Sequence, residues 1–140
     1  NRPEFSGANK APMGLLPVYR PKLRMAGDKY GADLELADHR EAPAQLRGAV
    51  GAYGLYITVR YYEPLVLPGD IAWIHPGRPL VDGVRAVGWD GDHLLFGWLS
   101  EGKTELQFLE AHETLTGGFG IERVLGPAQK AQVIAVLEGR

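Results

Sequence analysis

Tyr53-Gly54-Leu55-Tyr56-Ile57-Thr58-Val59-Arg60-Tyr61-Tyr62-Glu63-Pro64, followed after three residues by Pro68-Gly69-Asp70-Ile71-Ala72-Trp73-Ile74-His75-Pro76-Gly77-Arg78-Pro79, is the stretch that decides the fold. Residues 52 to 59 are dense in Tyr, Ile, Thr and Val, the aromatic and β-branched side chains that pack on a pleated surface, and they predict a strand. Pro64 and then Pro68-Gly69-Asp70 end it with a turn, because proline presets φ and glycine accepts positive φ. Ile71 to His75 reads as the next strand and stops at Pro76-Gly77. Two strands and a turn within 25 residues point to a β domain.

The same grammar extends along the chain. From Leu15 onward, short apolar pieces are separated by turn residues at intervals of about ten, and 19 Gly and 10 Pro supply the punctuation. Val84 to Trp89 and His93 to Leu99 flank Asp90-Gly91-Asp92, a strong hairpin signal. Ser100 to Lys103 then turns into a strand over Thr104 to Glu110, and Ile121 to Leu125 and Gln132 to Leu137 are later strands. One helical turn competes for Pro127 to Gln132, opposed by β-branched Val133 and Ile134. Residues 1–12 lack periodicity and carry linker chemistry, so the expected layout is a tether followed by one domain over 13–140.

At 140 residues the chain can bury a core without disulfides or metal. Its formal charge of −2 gives no broad attraction to phosphate, so DNA contact is expected from another part of the protein and not from this segment. The absence of cysteine excludes thiolate catalysis and thiolate metal sites and favours a reducing compartment, the cytoplasm. No apolar run approaches the roughly 20 residues of a membrane span, so no membrane is expected.

Glu63-Pro64, Pro68-Gly69-Asp70 and the segment around them resemble the active-site region of the LexA and phage-repressor self-cleaving peptidases, whose pattern is V-x-G-D-S-M-x-P followed by P-G-D and two apolar residues. The resemblance covers about residues 15 to 138 in outline. It implies the LexA/signal-peptidase-like complex β-fold of short strands and hairpins. It also implies a dimerisation domain joined by residues 1–12 to an N-terminal helix-turn-helix domain that binds DNA.

The mismatch inside the match bears on chemistry. Enzymes of that family pair a serine nucleophile with a lysine base, and a serine hydroxyl is a poor nucleophile until a neighbour takes its proton. Tyr61 stands at the serine position. Gly97, on the strand Leu94-Leu95-Phe96-Gly97-Trp98-Leu99, stands at the lysine position. Val59 and Arg60 replace the glycine and aspartate that usually precede the serine, and Tyr62, Glu63 and Pro64 complete the remnant of the nucleophile loop. The chain's two serines are Ser6 and Ser100, and Ser100 shares a polar turn with Lys103, where an amine keeps its ordinary pKa and is no base. No catalytic residue is therefore assigned. The ring of Tyr61, or of its neighbour Tyr62, is expected to fill the space over Gly97, because an empty apolar void costs a few kcal/mol.

In the family the scissile bond is Ala-Gly, about three dozen residues before the serine. Ala26-Gly27 lies 35 positions before Tyr61, either a relic of the cleavage site or the coincidence of a common dipeptide. The four histidines show no metal-motif spacing, so no metal and no cofactor is expected. Gly117-Gly118-Phe119-Gly120 reads as a loop or hairpin. The basic stretch Arg20 to Arg24 reads as a solvated face. Trp73, Trp89 and Trp98 read as core, with one or two at an interface.

The leading expectation is the assembly domain of a phage-repressor-like transcription regulator, inactive in self-cleavage. It would form a homodimer or higher homo-oligomer, with the strand Gln132 to Leu137 at its interface. Induction would then need an antirepressor or another partner. Two alternatives are an active peptidase with an unrecognised nucleophile, and a module that holds a peptide or ligand in the dead cleft.

Overall fold

The computed structural model describes residues 14–26, 29–59, 62, 65–90, 93–101, 106–113, 119–127 and 131–139, and it is mainly β. Strand β1 (Leu15–Ala26) and strand β2 (Lys29–Glu41) form one antiparallel hairpin, Leu15 opposite Glu41 and Ala26 opposite Lys29. The sequence predicts several short strands here; the structure has two long ones. Their continuity comes from alternation. Leu23, Ala32 and Leu34 pack inward, while Lys22 meets Glu35 at 3.1 Å and Arg24 meets Asp33 at 2.8 Å on the solvent side. Such exposed pairs contribute at most about 1 kcal/mol each, so the apolar face holds the hairpin and the charges keep its outer face soluble. The basic stretch of β1 is a solvated face, neutralised by β2.

Strand β3 (Tyr53–Tyr56) runs parallel to β1 through Val18 and Tyr19. Strand β4 (Ile71–His75) is antiparallel to β3. Strand β5 (Arg85–Asp90) and strand β6 (His93–Glu101) make the hairpin predicted around residues 90–92. Strand β7 (Leu106–Glu113) and strand β8 (Phe119–Pro127) continue outward from β6, and strand β9 (Gln132–Glu138) inserts between β4 and β5. The order is β2-β1-β3-β4-β9-β5-β6-β7-β8, and Gly31 of β2 also pairs with His93 of β6. Seven strands thus close into a ring, with β7 and β8 carried outside it. Of the helical turn weighed for 127–132, Pro127 belongs to β8 and Gln132 to β9, while 128–130 lie outside the described residues. Among the described residues no helix is long and apolar enough to cross a membrane.

All seven ring strands send side chains into the main core, among them Tyr19, Ala32, Tyr53, Ile74, Val87 and Phe96. A second cluster, around Val18, Leu46, Tyr56, Ile71 and Trp73, lies on the other face of β1, β3 and β4 under the 3-10 turn Ala44–Leu46. Full burial of such side chains contributes about 1.5–3 kcal/mol each. Gly54 of β3 sits close against β4: a Cβ there would stand 3.1 Å from both Ile71 Cγ2 and Trp73 Cζ3, so those side chains would have to give by a few tenths of an ångström.

Candidate functional site

Between β3 and β4 the chain loops across one end of the ring. The Ile57 N–H donates to the Asp70 carbonyl and the Gly69 N–H to the Ile57 carbonyl, each at 2.9 Å, which carries the β3–β4 pairing past Tyr56. Leu67 to Asp70 is a tight turn closed by the Asp70 N–H on the Leu67 carbonyl at 3.0 Å. Pro68 sets the first corner, and Gly69 takes the positive φ of +94° that the second requires. The Asp70 carboxylate accepts the Leu67 N–H at 2.9 Å. Pro-Gly-Asp therefore works here as a clamp that pins both ends of the loop, and each of its residues has a structural task.

Within the loop, Tyr62 is 1 % exposed. Its hydroxyl donates to the Leu94 carbonyl at 2.8 Å, and its ring stands 4.6 Å from that of Phe96, edge-on at 60°. Leu65 donates back to the Tyr62 carbonyl at 3.1 Å, and Leu65, Val66 and Val59 join the same core. Val59, Tyr62, Leu65 and Val66 are thereby packed into the ring. Arg60, Tyr61, Glu63 and Pro64 lie outside the described residues, as does Gly27; Ala26 is the last residue of β1.

Neighbouring residues on a strand face opposite ways. Leu94 and Phe96 face the loop and the main core, whereas Leu95 and Leu99 belong to a separate cluster with Ala86 on the reverse face. Gly97 is buried and shares the reverse face by position. Tyr62 therefore covers Phe96 and not Gly97, and one residue of register separates the two faces. Tyr61, the other ring expected over the glycine, lies outside the described residues. Ser100, placed in a turn by its sequence, lies in β6.

The hairpin of β1 and β2 ends beside the same strand. Gly31 pairs with His93 in antiparallel sense, so β2 meets β6 at its start. The β1–β2 hairpin, the loop of Tyr62 and the strand of Gly97 thus come together at the start of β6. The Trp89 indole N–H, on β5 opposite Leu94, is buried and has no acceptor among the described residues. Nothing in the sequence marks Leu94, Phe96 or Trp89 as part of this place; only the alternation of β6 hints at Phe96.

A second polar group ties β9 into the sheet. Glu138 accepts the Trp73 indole N–H at 3.2 Å with one carboxylate oxygen and an Arg40 N–H at 2.9 Å with the other. At the opposite end of β9, Gln132 accepts the hydroxyl of the fully buried Tyr53. Tyr19 stands edge-on to Tyr53, and burial pushes its phenol pKa above the ordinary value of 10. Comparison of the chain with models of known protein families found no match, and a search of curated proteins found none.

Proposed function

We propose that this chain is the assembly domain of a phage-repressor-like transcription regulator whose self-cleavage site has been retired. The observation that carries the reading is the Tyr62 hydroxyl on the Leu94 carbonyl with the ring on Phe96. Next to the position where the resembling enzymes carry their serine, this loop has a tyrosine hydroxyl already engaged by a main-chain carbonyl. Strand β2, which pairs with the strand that ends at Ala26, meets the same β6 through Gly31 and His93.

With its chemistry gone, the domain's remaining work is to hold copies together in the cytoplasm. Two DNA-binding heads joined this way turn weak half-site contacts into one strong one through effective concentration. Release from DNA would then come from an antirepressor protein that disturbs the assembly. Sedimentation velocity on the purified chain tests the proposal: a dimer or larger species at micromolar concentration supports it, and a monomer at every concentration up to about 100 µM, roughly −5.5 kcal/mol of association, sinks it.

A further inference from the structure

Strand β2 meets β6 only where Gly31 stands opposite His93, and beyond that point it has no strand on its far side among the described residues. Leu36, 53 % exposed, sits on this stretch. A free edge that carries an exposed apolar side chain is a template for another strand. One hydrogen bond shows which main-chain groups the edge offers. The Ala42 N–H donates to the Gly14 carbonyl at 3.3 Å, and opposed pairs of an antiparallel ladder alternate between bonded and unbonded. Arg40 and Asp38, opposite Leu16 and Val18, therefore turn their main-chain groups toward β1, and His39 and Glu41 turn theirs outward. Pro17 opposite His39 agrees, because a residue without an N–H fits a position whose N–H would point away from the partner.

The outward N–H of His39 is already engaged. It donates to Asp38 Oδ1 at 2.8 Å. The other carboxylate oxygen, Oδ2, accepts the hydroxyl of the buried Tyr56 at 3.4 Å, and the Arg20 guanidinium lies 5.6 Å from the centre of the Tyr56 ring. Beside it the register shifts between Val18 and Tyr19, which leaves Ala37 with no opposite residue, a bulge that bends the edge. We propose that Asp38 guards the free edge of β2: its carboxylate occupies the donor that an added strand would bond, and Tyr56 positions that carboxylate. Together with the bulge it keeps the stretch around Leu36 from taking up a strand of another copy. The proposal does not depend on the assembly reading, because its test is scored against the native chain, whatever that chain's own mass in solution.

Sedimentation velocity of Asp38→Ala beside the native chain tests the guard, with circular dichroism to show that both are folded. At about 100 µM the variant is expected to reach roughly twice the weight-average mass of the native chain. Asp38→Val, which also lacks an acceptor and suits a strand, covers an alanine variant that does not fold. Asp38→Asn keeps an acceptor oxygen and is expected to sediment as the native chain does. Adding His39→Pro to Asp38→Ala removes the exposed donor itself, at a position where proline is tolerated because the N–H does not face β1, and is expected to return the mass to the native value. A folded Asp38→Ala or Asp38→Val with native mass overturns the guard. So does a gain in mass that Asp38→Asn shares in full, or one that His39→Pro leaves in place.

Discussion

The hydroxyl of Tyr62 donates to the main-chain carbonyl of Leu94 across 2.8 Å while its ring packs edge-on against Phe96. Loop and strand are therefore joined by a polar and an apolar contact at once, within a buried cluster. Tyr62→Phe keeps the ring and leaves the Leu94 carbonyl without that donor, at an expected cost of about 1–2 kcal/mol. Tyr62→Ala also opens a void and is expected to cost about 3–5 kcal/mol. Urea unfolding measures both, and equal small losses would mean that the loop is not packed as described.

Trp89 offers the opposite case. Its indole N–H is buried with no acceptor among the described residues, so Trp89→Phe removes an unmet donor along with some packing. The two effects offset, and a change within about 1 kcal/mol in either direction is expected in urea unfolding. A loss of 3 kcal/mol or more would show that the N–H has a partner.

Glu138 separates charge from hydrogen bonding. Its ion pair with Arg40 is partly exposed, each side chain 41 % accessible, and such pairs are worth at most about 1 kcal/mol. Trp73 is fully buried and needs an acceptor for its N–H. Glu138→Gln retains an acceptor and should cost less than about 1 kcal/mol, whereas Glu138→Leu strands the indole and should cost about 2 kcal/mol. Thermal or urea unfolding of the two variants in parallel reads the difference.

Local chemistry was the legible part of this chain. Pro68, Gly69 and Asp70 announce a turn because each has a conformational or hydrogen-bonding reason to be there, and residues 90–92 announce a hairpin for the same reason. Strand β2 escaped notice because its charged residues hide the alternation of Ala32 and Leu34, and those charges make sense only beside Lys22 and Arg24 on β1. The place of β9 in the middle of the sheet is set by long-range pairing that no local pattern encodes. At the candidate site, the sequence marks the loop and the strand but not the contact of Tyr62 with Phe96. Choosing Gly97 over Phe96 differs by one residue, and in a strand one residue is the difference between facing the site and facing away.

Tyr19 makes stability depend on alkaline pH. Burial raises its folded pKa above the unfolded value of 10, so the unfolded state ionises first. Its contribution is complete below pH 10 and is lost as pH rises through the higher folded pKa. Denaturation midpoints between pH 8 and 12 should fall beyond pH 10 in the native sequence, and the fall should be shallower in Tyr19→Phe.

The proposed retirement of the cleavage site is tested most directly by intact mass. The purified chain, held for days at pH values from 7 to 10, is expected to keep its full 15.3 kDa mass throughout, because Tyr61 and Gly97 stand where the resembling enzymes need a serine and a lysine. Fragments cut between Ala26 and Gly27, accumulating with pH and abolished by Tyr61→Phe, would contradict the account.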